Sequence, residues 1–310
     1  MQHTTTHTGR LAVMAGPVMS AGYPRTTVGN GPLLTGWLRE LWQADRVLTG
    51  AGLLMLALLI PTAAGLWLDP RLVTGAPAWL KPAKFAASTG VFMLTLAWVF
   101  TWLPGWPRLR RVASWTTAVV LVVEVAIIGL QAARGTASHF NMATPFDGVL
   151  FGIMGTGIAL QTLASVAVAV ALWRQAFADR ALGLAIRLGM TLTIAGAAVG
   201  GLMTQPTDAQ LAEAAVSGRM TVAGAHTVGA PDGGPGLPVT GWSTRAGDLR
   251  VPHFVGLHAL QVLPLLALLV RRRPPHIRQR LVALGAVAYT VVFILLLAQA
   301  LAGRPLVLLS

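Results

Sequence analysis

Lys81 and Lys84 stand three residues apart in WLKPAKF (79–85), and they are the only lysines in a chain that carries 21 arginines. Pro82 suits the first position of a helix, which places Lys81 at the cap and Lys84 in the first turn. Positive charge there opposes the helix dipole by about 0.3–1 kcal/mol per exposed residue. An anion at the free N–H groups of that turn reverses the sign. The two ammonium groups are therefore candidates to hold a carboxylate, a phosphate or another small anion, with snorkelling to lipid headgroups as the competing role.

A second set of polar residues interrupts or borders apolar runs. Glu124 stands inside LVVEVAII, RGTASHFN supplies Arg134, His139 and Asn141, and VPHFVGLHALQ supplies His253, His258 and Gln261. A carboxyl group in mid-membrane pairs with a donor or relays protons, which makes Glu124 a candidate for proton coupling. Neutral imidazole is a common metal ligand, so His139, His253 and His258 are candidates to hold a metal or haem. At 100° per residue, however, His253 and His258 lie about 140° apart on one helix and cannot easily grip one ion together, whereas His258 and Gln261 are about 60° apart and share a face. No tight ligand spacing such as HExxH accompanies them.

The elements that position these residues follow from composition. Hydrophobic residues make up 55% of the chain and charged residues 11%, with a mean hydropathy of +0.66. The apolar residues gather into seven runs of about 20, each long enough to cross roughly 30 Å of hydrocarbon as a helix. The expected fold is an all-α polytopic transmembrane helix bundle with spans near 47–68, 85–104, 112–133, 147–173, 181–203, 252–270 and 281–302. Residues 1–36 read as a disordered cytoplasmic tail, 37–46 as an interfacial amphipathic helix with Trp37 and Trp42 at headgroup level, and 47–302 as the bundle. Within the bundle, 204–251 reads as an external loop or lid, opened by a capping box from Thr207 to Gln210 and then dense in Gly and Pro.

Basic residues set the expected orientation, because Lys and Arg are held back on the cytoplasmic side during insertion. PRLRR (107–111), RQAFADR (174–180), RRRPPHIRQR (271–280) and the N-terminal segment carry fourteen arginines, against eight Lys or Arg in the alternate connections. The N-terminus is thus expected inside and the C-terminus outside, as in a bacterial cytoplasmic membrane protein. Apart from Glu124, the candidate residues then gather toward the outer face. The formal charge of +13 is accounted for by loops facing anionic lipid, and no basic stripe with interleaved aromatics points to nucleic acid. With no cysteine in the chain, disulfides, Cys metal sites and thiol catalysis are excluded.

WLKPAKFAAST, QAARGTASHFN with the following ATPFDGVLFGIMG, and GWSTRAGDLRVPHFVGLHALQVLP resemble segments of a group of uncharacterised bacterial integral membrane proteins. The resemblance spans about residues 47–302. It implies a shared fold and draws attention to Lys81, Lys84, Arg134, His139, Asn141, His253, His258 and Gln261, and it implies no activity. Phosphate loops, a nucleophile elbow and a Schiff-base lysine in the last span are all missing from the sequence. The expectation is an outward-facing pocket that binds or transports a small polar or anionic ligand. The alternative is a membrane redox protein with His-ligated haem or metal.

Overall fold

Apolar runs bounded by Pro, Gly and capping side chains fold as helices, and the computed structural model, which describes residues 33–307, is built almost wholly from them. Helices α1 (Leu33–Ala44), α2 (Arg46–Ala57), α3 (Leu59–Leu68), α4 (Leu80–Phe100), α5 (Pro107–Arg134) and α6 (Pro145–Arg174) come first. They are followed by α7 (Arg180–Met203), α8 (Asp208–Ser217), α9 (Arg250–Leu257), α10 (Ala259–Leu269) and α11 (Pro275–Leu301). Seven helical segments are long and apolar enough to cross a membrane, α2–α3 and α9–α10 each counting as one. The chain is an all-α bundle of membrane-spanning type. Two small ribbons, β1 (Leu72–Val73) with β2 (Ala76–Pro77) and β3 (Thr227–Val228) with β4 (Gly247–Asp248), complete it.

Most of the expected cytoplasmic tail lies outside the described residues, but 33–36 already belong to α1. That helix buries Leu41 and leaves Trp37 and Trp42 exposed. It ends where Asp45 caps α2 by accepting the Leu48 N–H at 2.9 Å. Arg110 donates to the Ala44 carbonyl and Ser114 to the Asp45 carboxylate, fastening this corner to α5.

Several expected boundaries move for local reasons. PRLRR is the first turn of α5 rather than a loop, because Pro107 starts the helix directly after Trp106. Helix α4 begins at Leu80, five residues before the expected span, so Pro82 is its third residue and both lysines lie within it. Proline is tolerated there because first-turn N–H groups have no intrahelical partner anyway.

Two spans are broken. Pro61 has no N–H for the Ala57 carbonyl, and the first span divides at Leu58. The sixth divides at His258, where hydroxyls enter the backbone ladder: Tyr289 donates to the Val255 carbonyl at 2.6 Å and Thr193 to that of Leu257 at 3.3 Å. The two halves, α9 and α10, still run against α7. Gly196 and Gly256 permit that crossing, since a Cβ on Gly256 would meet the Gly196 Cα at 2.4 Å.

Helix α4 packs on α2 and α5, α5 on α6, α6 on α7, and α7 on α9, α10 and α11. At the end carrying the 174–180 and 271–280 connections, one apolar core runs from α2 to α11 through Leu48, Met93, Phe100, Leu172, Met190 and Leu260. Toward the opposite end the apolar core divides. One cluster holds Phe140, Val199, Met203, Leu249 and Phe293, and the other holds Ile127, Ile128, Leu150 and Met154. Polar side chains occupy the region between them.

Candidate functional site

The cluster is built by a connection that turns back into the bundle. Glu124 lies ten residues before the end of α5, about 15 Å along the axis, yet His139 from the 135–144 connection brings its Nε2 to 3.5 Å from the Glu124 carboxylate. Phe140, the next residue, has φ of 61°, a left-handed conformation uncommon for a bulky side chain. Two contacts hold it there: its carbonyl accepts the Ala223 N–H at 2.9 Å, and its ring packs on His226 and Phe151 with centroids 4.8 and 5.8 Å away. The strain turns His139 toward Glu124 and Phe140 toward the lid.

Lys81 comes from the first turn of α4. Its ammonium stands 5.8 Å from the centre of the Phe85 ring, and Phe85 in turn lies 5.6 Å from His139. Among the described residues the Lys81 ammonium has no hydrogen bond and no ion pair. Glu124, 4% exposed, has one carboxylate oxygen facing His139 and a second that is buried without a hydrogen-bond partner. Burial pushes the His139 imidazole well below its usual range, and the charges of Lys81, His226 and His253 push it the same way. His139 is therefore neutral near pH 7, and the 3.5 Å contact is neither an ion pair nor a formed hydrogen bond. Its Nδ1 lies 3.1 Å from the Ser138 hydroxyl.

His226 and His253 complete the surround. Asp232 holds the Nδ1 of His226 at 2.7 Å and accepts the Thr227 hydroxyl at 2.7 Å, and these bonds keep its carboxyl below the ordinary range despite partial burial. Burial lowers His226 as well, against the opposing pull of Asp232. The Nδ1 of His253 lies 2.7 Å from the Gly196 carbonyl. Engaging Nδ1 leaves Nε2 of both rings free to face a ligand.

Lys81, Ser88 and Thr95 recur at seven-residue intervals, which keeps them on one stripe of α4. At its lower end Thr95 accepts Gln261 Nε2 at 3.2 Å from α10, while the Gln261 carbonyl oxygen is buried and unpartnered. Ser88, between the two, is exposed. The stripe thus runs from the lysine end of the cluster to the broken sixth span.

Other expected site residues have internal partners. Lys84 donates to the carbonyls of Val239 and Thr240 at 3.2 Å each, latching the 229–246 excursion onto α4. Arg134 bonds Gln131 and pairs with Asp147 at 2.6 Å above the Phe146 ring, joining α5 to α6. The Asn141 amide donates to Thr136 and Ala137 and accepts the Ala143 N–H, stapling its own loop. His258 stacks on Phe254 at 4.1 Å with its Nδ1 on that residue's carbonyl. The shared pocket expected for Lys81, Lys84, Arg134, His139 and His258 is thus rearranged: Lys81, Glu124, His139 and His253 converge, joined by His226. Asp232 and the Phe85 and Phe140 rings were not singled out by sequence. Neither spacing nor periodicity marks Asp232, which reaches His226 through a Gly- and Pro-rich turn.

No group of three or more His, Cys, Asp or Glu side chains among the described residues is placed to hold a metal ion. The candidate ligands His139, His253 and His258 instead contact Glu124, Gly196 and Phe254. Comparison with known proteins returns no matching family, no matching curated protein and no matching solved structure.

Proposed function

We propose that this membrane protein binds a small polar or anionic solute in the Lys81–Glu124–His139 cluster, and that binding serves transport. The N-terminus is taken inside and the cluster toward the outer face of a bacterial cytoplasmic membrane, on the arginine asymmetry of the alternate connections. The observation that carries the reading is the pairing of two incomplete groups. The Lys81 ammonium lacks a partner among the described residues, and a buried oxygen of Glu124 lacks one too. Buried polar groups are ordinarily hydrogen-bonded, and at the same end of the bundle Arg134 pairs with Asp147 and Arg250 with Asp248 at 2.6 Å. A solute supplies the missing contacts at the cluster.

Transport is favoured over static binding by the interrupted helices at Leu58 and His258, since discontinuous spans frequently build solute sites in secondary transporters. Glu124, with neutral His139 against it, is the proton-coupling group. The test is the thermal unfolding of purified protein with acetate, phosphate, glycine and urea at millimolar concentration. The reading expects at least one of these to raise the melting temperature in the native chain and to lose that effect in Lys81→Met. No shift with any of the four would sink it.

A further inference from the structure

The cluster contains both signs of charge, and they are held apart. Elsewhere in the bundle four acidic side chains close onto a cation: Asp69 on Arg71, Asp147 on Arg134 and Asp248 on Arg250 at 2.6 Å, and Asp179 on Arg278 at 2.5 Å. Lys81 and Glu124 form no ion pair within 4 Å, although flexible side chains carry them on the adjacent, packed helices α4 and α5. A buried carboxylate oxygen without a donor is costly, and the half-buried Lys81 ammonium has no anion beside it either. A simple anion satisfies the ammonium and leaves the Glu124 oxygen without a donor; a simple cation does the reverse.

Surrounding groups favour an intervening molecule over collapse of the pair. Phe85 stands beside both Lys81 and His139, its ring centre 5.8 Å from the ammonium and 5.6 Å from the imidazole. His226 and His253 have their Nδ1 atoms fixed by Asp232 and by the Gly196 carbonyl, so their remaining nitrogens are oriented rather than free to swing in as substitutes. The 135–144 connection is locked against the lid by the Met142 N–H on the Thr221 carbonyl and the Ala223 N–H on the Phe140 carbonyl, each 2.9 Å, which fixes His139 beside one Glu124 oxygen while the other stays buried without a partner.

From this separation we infer that the solute is dipolar: a small amino acid whose carboxylate binds Lys81 and whose ammonium donates to the second oxygen of Glu124. The inference rests on the solute-binding reading above and narrows its ligand class. It assigns the two ends separately, so each can be tested by itself.

The experiment is binding of glycine, β-alanine and 4-aminobutanoate to the purified full-length protein, measured by calorimetry beside acetate and methylammonium, which carry one end each. At least one amino acid is expected to bind ten times more tightly than either half-molecule. Glu124→Gln should remove that advantage and leave acetate affinity within about threefold, and Lys81→Met should abolish binding of acetate and amino acids together. Melting temperature without added solute reports whether each variant folds; if Lys81→Met does not, Lys81→Arg, which keeps the charge, is expected to retain the tenfold preference. Acetate binding as tightly as every amino acid, unaffected by Glu124→Gln, overturns the dipolar assignment while the solute-binding reading stands. Absence of binding by all five overturns both.

Discussion

Phe140 offers a test of how the site is held, because two substitutions that delete the same ring should differ in a direction opposite to ordinary propensity. The ring is 6% exposed and packs on His226 and Phe151, so truncation to alanine should cost about 3–5 kcal/mol. Alanine must still adopt φ of 61°, at about 1–2 kcal/mol of steric strain. Glycine deletes the ring and the strain together, and gives back part of the gain, about 0.5–1 kcal/mol, through its more flexible unfolded chain. Phe140→Gly should therefore be more stable than Phe140→Ala by about 0.5–1 kcal/mol, while both fall well below the native chain. Reversible unfolding in mixed detergent micelles measures the difference. If the alanine variant equals or exceeds the glycine variant, residue 140 is not left-handed in the protein and the strained presentation of His139 is wrong.

Three further outcomes follow from the same geometry. Glu124→Gln should fold and Glu124→Lys should fail to accumulate, because a second ammonium beside Lys81 at a buried site in a span costs at least about 2.5–3.5 kcal/mol; equal yields and melting temperatures in detergent would show that Glu124 faces water. Arg134→Met should lower stability by about 2 kcal/mol, less than the 3–5 of a fully buried pair, because Arg134 is 37% exposed, and it should leave solute-induced stabilisation intact; loss of that response would return Arg134 to the site. His139 and His226 are held below the ordinary value of 6.5 by burial, so the folded chain resists protons that the unfolded chain accepts. Their contribution is complete above about pH 6.5 and declines as pH falls below it. The melting temperature should drop between pH 7.5 and 5.5, and His139→Gln should flatten the drop; a melting temperature that rises on acidification would contradict the burial of both rings.

Seven apolar runs, each near the length that hydrocarbon thickness demands, made the bundle legible from the sequence. Residue type marked Glu124 as a carboxyl group needing a donor in mid-membrane and His139 as a candidate ligand, each by itself. Their meeting could not be read, because it depends on the 135–144 connection turning inward through a left-handed Phe140, which no periodicity announces. Arg134 and Lys84 looked like ligand residues for the same reason that Lys81 did. They found an aspartate and a pair of loop carbonyls instead, partners distant in sequence or in an irregular segment. The break at His258 was likewise hidden: hydroxyls from Thr193 and Tyr289 on neighbouring helices create it, whereas the divided first span carries its own signal in Pro61.

The proposal that solute reaches the Lys81–Glu124 cluster from the outer face can be tested at one position, because the chain carries no cysteine. Ser88 is exposed on the stripe between Lys81 and Thr95, so Ser88→Cys introduces a single thiol there. In intact cells a membrane-impermeant thiol reagent added outside should label this cysteine, and glycine or acetate at saturating concentration should slow the labelling. Labelling from the cytoplasmic side of inverted vesicles, with none from outside, would contradict the account.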